Sequence, residues 1–445
     1  MPKNKKKNRH ANPRSIQSGD DSSEFNADEN ASTISNASTN MSYQDLEGEE
    51  VKKGEDEFIE KIDNVQAQID SCLDSLMEKG YKEREESLQI LKKLFTHKLI
   101  FDSIVNKRFT VSESLIKSLK KGKSNEQILA ANVLMLTLVQ LGPSPTDTNA
   151  IFADSRQILT ELIDDEKVDA EVRAECVKCL ALAVFLINEN STDTISILEK
   201  FANIFSNSFA KGDGTLRTHS PKVYELHAAA LSSWCFLLCT MPLHFVNKLS
   251  QKYVPHFQDF LRSPDIDLRI VAGETISFLH ELAQLDSHSS LACFEDENLL
   301  ESLRALVSES SKFKSKKEKK QQRSSFRDIL KTLEEGEFDT QTIKFGTESL
   351  LLDNWVKRKE YETFRDLLAT GMNNHLAENE YLRDLFDLGP PVQGSEQNRK
   401  AALSLLTSKQ KAQINKEQFK SRTKSLLKKR ETKDYAQVQH MDDED

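Results

Sequence analysis

Residues 173–186 read Arg173-Ala174-Glu175-Cys176-Val177-Lys178-Cys179-Leu180-Ala181-Leu182-Ala183-Val184-Phe185-Leu186. The phrase is a basic or apolar residue, two residues, a small residue, then an apolar run. It recurs at Arg84-Glu85-Glu86-Ser87, Ile128-Leu129-Ala130-Ala131, Leu226-His227-Ala228-Ala229 and Arg269-Ile270-Val271-Ala272. The five starts are 44, 45, 53 and 43 residues apart, the period of armadillo or HEAT helix pairs. A small residue at one fixed place lets the inner helix of each unit approach its neighbour, so that stacked units bury a continuous core. The long interval contains Lys211-Gly212-Asp213-Gly214 to Ser220-Pro221, which reads as a loop insertion.

Outward from these phrases the pattern stays helical. Phe58, Ile62, Val65, Ile69, Leu73 and Leu76 recur every three or four residues and form one apolar stripe. Only 14 Gly and 10 Pro in 445 residues favour long helices over a turn-dense β protein. Gly142-Pro143-Ser144-Pro145 stops one helix, and Ser263-Pro264-Asp265 starts another. The reading is all-α: a tail over 1–55, a helical repeat solenoid over 56–310, a basic linker over 311–325, and a small, mostly helical domain over 326–392. A basic helix and tail follow over 393–445. Ala401 to Arg430 holds no Gly or Pro and reads as one rod of about 45 Å at roughly 1.5 Å per residue. Its apolar positions are sparse, so a partner is needed to order it.

Charge is uneven. The chain carries a net −10, yet residues 1–14 hold six basic groups and no acid, 312–327 eight basic groups and one acid, and 395–433 twelve and three. An acidic body with basic appendages suits a polyanionic partner, whose counterions the lysines displace. Residues 1–55, rich in Asn, Ser, Asp and Glu, bury too little to fold alone. The longest apolar stretch, Leu231 to Val246, is broken by Pro242 and His244, and no secretory signal is expected behind Pro2 to Lys7. Six scattered Cys fit reduced thiols of the cytosol or nucleus.

Motifs for catalysis are thin. No Walker-type loop and no Gly-x-Ser-x-Gly occurs. His280-Glu281 opens like a zinc-protease motif, but Gln284 stands where the second His belongs. Cys176, Cys179, Cys235 and Cys239 lie in apolar helical runs and read as core residues, as do His227 and His375. Trp355 and Phe364 read as anchors of the second block. A nuclear import receptor would show ladders of Trp and Asn, and Leu238 follows Trp234 instead. The expectation is a non-enzymatic chain with no metal, cofactor, membrane or small-molecule substrate.

Three segments resemble the interferon-related developmental regulator family. They are Ser118-Leu119-Lys120-Lys121-Gly122-Lys123-Ser124-Asn125-Glu126-Gln127, Arg323-Ser324-Ser325-Phe326-Arg327-Asp328-Ile329-Leu330, and a third from Thr342-Ile343-Lys344-Phe345-Gly346 through Trp355, Tyr361, Gly371-Met372 and His375-Leu376 to Phe386-Asp387-Leu388-Gly389-Pro390-Pro391. The resemblance spans residues 57–392. It implies an armadillo-like domain, a small family-specific domain, and one of two functions. The first is binding to translationally inactive ribosomes, contacting rRNA and ribosomal proteins, with the C-terminal helix in the mRNA path. The second is transcriptional co-regulation in the nucleus through protein partners. On the first reading Lys409, Lys411, Lys416, Lys420, Arg422, Lys424, Lys428, Lys429 and Arg430 contact RNA. They surround the helix on nearly all sides, as enclosure by a polyanion requires. Lys316, Lys317, Lys319, Lys320 and Arg323 are candidates for a second RNA contact. The chain is then cytoplasmic, with a nuclear pool on the second reading, whose Lys-rich ends would serve import.

Overall fold

The computed structural model describes residues 65–77, 80–144, 146–187, 191–286, 290–308 and 316–391. These residues lie in one compact unit. Its repeat helices are α1 (Val65–Met77), α2 (Tyr81–His97), α3 (Phe101–Lys121), α4 (Ser124–Leu141), α5 (Thr148–Asp164), α6 (Ala170–Ile187), α7 (Ser191–Phe205), α8 (Pro221–Leu238), α9 (Leu243–Phe260), α10 (Ile266–Gln284), α11 (Glu297–Ser308) and α12 (Lys316–Glu335). Each odd helix packs on the even helix that follows it, and the even helices pack side by side in chain order from α2 to α12. The result is a two-layer stack of helix pairs.

The five sequence phrases all fall on the even layer. Ser87, Ala131, Cys176, Ala229 and Ala272 are buried there. Every residue of α4 from Ala130 to Leu141 is buried, which is why its apolar residues are not confined to one stripe and only Asn132, Thr137 and Gln140 interrupt them. Polar pins one repeat apart tie the layer together. Arg84 on α2 makes a two-pronged pair with Glu126 on α4. Asn132 on α4 donates to Glu175 on α6, and Arg269 on α10 donates to Gln322 on α12. Between layers, Phe205, Trp234, Tyr253 and Phe257 form an aromatic cluster with centroids 5.5–6.0 Å apart.

Caps match the sequence signals. Gly142 ends α4 at φ 63°, a left-handed value that favours glycine. Asp265 caps α10, its carboxylate accepting from the Leu268 amide at 2.8 Å.

The basic linker read at 311–325 needs correction. Residues 311–315 lie outside the described residues, but 316–325 form the first half of α12. The Lys-rich composition hid a helix because its apolar stripe (Phe326, Ile329, Leu333) begins only past the lysines. That stripe docks on α10, where a Cβ on Gly273 would come within 2.8 Å of Ile329 and 2.9 Å of Phe326. Gly273 thereby admits a sixth even helix, and Phe326 belongs to the stack.

Beyond α12 come a hairpin and three short helices. Strands β1 (Gln341–Phe345) and β2 (Glu348–Leu352) pair antiparallel through a two-residue Gly346-Thr347 turn, with Phe345 opposite Glu348. Gly346 sits at φ 54°, as such a turn asks. Helices α13 (Trp355–Leu368), α14 (Met372–Glu378) and α15 (Glu380–Leu385) follow. No described helix is long and apolar enough to cross a membrane.

Candidate functional site

The free side of the even layer is where a helical stack offers a groove. Here the chain's own C-terminal block occupies it. Helix α13 packs on α10, α8, α4 and α2. At its start the Trp355 amide donates to Glu281 on α10 at 2.8 Å, and the indole N–H donates to Thr332 on α12 at 2.9 Å. Mid-helix, Lys359 donates to Ser232 on α8 at 2.6 Å, and Phe364 meets Phe185 and Phe236 edge-on at 6.3 Å. Trp355 and Phe364 are buried anchors.

The far end grips the last turns of α2 and α4, whose final carbonyls have no partner within their own helices. Asn374 donates to the His97 carbonyl, His375 Nε2 to the carbonyls of Phe95 and Thr96, and Asn379 to the Val139 carbonyl. Contact is so close at Gly371 that a Cβ there would lie 1.8 Å from the Thr96 oxygen. The groove that a peptide adaptor would need is filled in cis.

A buried charge cluster locks the middle. Arg358 on α13 pairs with Glu362 at 3.0 Å, Asp328 of α12 at 3.3 Å and Glu274 of α10 at 3.8 Å, and its guanidinium lies 4.8 Å from the Trp355 ring centre. Burial and the facing Glu362 push Glu274 up to about 7. Against the upward push of burial, Arg358 holds Glu362 below the usual carboxylate range.

The C-terminal block, a strap running from α13 to Pro391 along the even layer, ends in an arginine anchor. Arg383 is 1% exposed. It pairs with Glu348 at the hairpin turn through two bonds of 2.9 and 3.0 Å. It also donates to the carbonyls of Leu376, Ala377, Leu388, Gly389 and Pro390. The backbone is thus held as far as Pro390.

The expected RNA-contact residues divide. Lys409, Lys411, Lys416, Lys420, Arg422, Lys424, Lys428, Lys429 and Arg430 lie outside the described residues. Lys316, Lys317, Lys319, Lys320 and Arg323 lie on α12, with Lys320 exposed and Arg323 half-buried.

Cys176, Cys179, Cys235, His227 and His375 are buried as core residues, whereas Cys239 is half-buried just past the end of α8 and is not core. Burial pushes Cys176 up to about 12 and Cys235 up to about 11, so neither is a thiolate near neutrality. Burial pulls His375 and His227 down to about 4, and His227 shares a 2.6 Å hydrogen bond with Ser208. Among the described residues no group of three or more His, Cys, Asp or Glu is placed to hold a metal ion.

A family model described as interferon-related developmental regulator matches residues 30–334. Mouse interferon-related developmental regulator 1 is 34% identical over 374 residues, covering 83% of this chain and 81% of its own. The chain belongs to the interferon-related developmental regulator family. The human protein of the same name is 34% identical with the same coverage, and mouse interferon-related developmental regulator 2 is 32% identical over 369 residues, covering 83% of each. A second family model, the interferon-related protein conserved region, matches residues 379–434. The family match therefore extends past residue 392 and takes in the basic segment, beyond the span of the sequence resemblance. For this family member the anchor at Arg383 and the lysines at 409–430 sit in one matched segment.

Proposed function

We propose that this family member is a non-enzymatic ribosome-binding factor whose basic C-terminal segment enters the mRNA channel of idle ribosomes and excludes mRNA by occupancy. The observation that carries the reading is the charge contrast across Pro391. On one side is a strap tied into an acidic body. On the other, residues 395–433 hold twelve basic groups and three acidic ones. Phosphate contacts position a chain without reading sequence, so a channel lined by rRNA suits lysines spread around a rod. The alternative, a nuclear adaptor gripping peptides in its groove, loses support because α13 fills that groove.

Sucrose-gradient sedimentation tests the proposal. Deleting residues 395–445 should remove the chain from ribosomal fractions. If about six phosphates are neutralised, log affinity should fall against log salt with a slope near −4, at about 0.7 per phosphate. Co-sedimentation of the truncated chain at moderate salt would overturn the reading, as would a steady nuclear pool with no ribosomal fraction.

A further inference from the structure

The segment Ser118 to Gln127 plays no part in the strap or the tail, yet it builds a second basic surface. It forms the turn from α3 into α4. From Ser114 to Asn125 there are four lysines and no acid, and Lys82 is exposed in the first turn of the neighbouring helix α2. The end of α1 and the start of α2 lie beside the α3–α4 turn. Lys117 Nζ donates to the Met77 carbonyl at 3.2 Å, and Lys123 Nζ sits 3.9 Å from the centre of the Tyr81 ring. Tyr81 and Met77 are 42% and 49% exposed.

Some lysines elsewhere on the body meet carboxylates, as in Lys178–Glu175, Lys200–Asp164, Lys222–Glu171 and Lys357–Asp353. Among the described residues, no carboxylate pairs with Lys82, Lys117, Lys120, Lys121 or Lys123. Of the acids beside these lysines, Glu126 is buried against Arg84 and Asp169 accepts from Ser124. Lys120 and Lys121 gain a little from the α3 C-terminus, but that does not account for Lys82 or Lys123. Nor does it account for an exposed aromatic ring between them.

We infer that this corner is an RNA-docking surface: the lysines take backbone phosphates of a single-stranded or looped RNA, and an unpaired base stacks on Tyr81. Lysines beside an exposed aromatic face are the combination that unpaired RNA requires. The inference rests on the ribosomal reading and makes the corner a contact separate from the channel.

The test uses the full-length chain carrying Lys120→Gln, Lys121→Gln and Lys123→Gln together, with purified ribosomes and a salt series. Removing three phosphate contacts should flatten the salt slope by about 2, at about 0.7 each. Tyr81→Ala should weaken binding by about fivefold to a hundredfold, with thermal unfolding unchanged in the lysine variant. Irradiating the wild-type complex at short ultraviolet wavelength should leave a nucleotide adduct on the peptide containing Tyr81. An unchanged slope and affinity in the triple variant overturn the corner while leaving the channel reading intact. Loss of binding in the triple variant, with full binding after tail deletion, supports the corner and overturns the channel reading. Weakened binding without the adduct, with lysine-reactive cross-links from the corner to a ribosomal protein, overturns the assignment to RNA.

Discussion

At the scale of single residues, the strap is held by groups whose protonation matters. His375 donates from Nε2 to two backbone carbonyls and is 1% exposed. Burial drops its pKa from 6.5 to about 4. Between those values the unfolded chain takes up a proton that the folded chain refuses. Stability is therefore complete above about pH 6.5 and falls as the pH drops towards 4, by up to about 1.4 kcal/mol per pH unit for each such histidine. His227 adds a loss of the same sign. Glu274 acts oppositely: raised from 4.5 to about 7, it takes up its proton first in the folded state and gains stability as pH falls across that interval. Comparing wild type with His375→Gln in denaturant titrations at several pH values separates the terms. The variant should lose one histidine's share of the pH slope between about 6.5 and 4. An identical slope would show that the ring titrates freely and that the strap end is open there.

At the scale of elements, α13 combines apolar anchors with a buried cation. Arg358 faces Glu362, Asp328 and Glu274 from three helices. Removing it leaves carboxylates in a site poor in water, a loss that typically costs about 3–5 kcal/mol. Arg358→Ala should therefore lower the unfolding midpoint strongly. Arg358→Ala with Glu362→Gln should recover part of that loss, and the absence of any recovery would mean that packing on Trp355, not charge, carries the effect.

How much of these elements the sequence discloses follows from where each signal resides. The even helices are legible because stacking imposes one small residue per period, seen at Ser87, Ala131, Cys176, Ala229 and Ala272. Helix α12 is obscured because Lys316 to Lys320 look like a solvated run, while the apolar residues that fix it start only at Phe326. The hairpin escapes because two five-residue strands leave too little alternation around Gly346. The basic tail is visible from charge alone. The strap is not, since a bond such as His375 to Phe95 joins residues 280 apart and leaves no periodic trace in either segment.

For the whole molecule, the strap makes the stack and the C-terminal block one folding unit. Helix α13 reaches from the α10–α12 end of the even layer to α2. Undocking it would expose Phe185, Phe236 and Phe364 together, each aromatic costing about 1.5–3 kcal/mol to return to water. It would also strand Arg358 and free the carbonyls of α2 and α4. A partial opening of that size competes poorly with global unfolding, so the two should occur together. Only two tryptophans are present, Trp234 on α8 and Trp355 on α13. In a Trp234→Phe background, fluorescence reports the strap alone, while far-ultraviolet circular dichroism reports the stack. The two probes should give coincident denaturant midpoints, the signature of a single cooperative transition. A fluorescence midpoint at clearly lower denaturant would mean that α13 leaves before the stack melts. The even layer would then be available to a partner, and the peptide-adaptor reading would regain the groove that the strap now denies it.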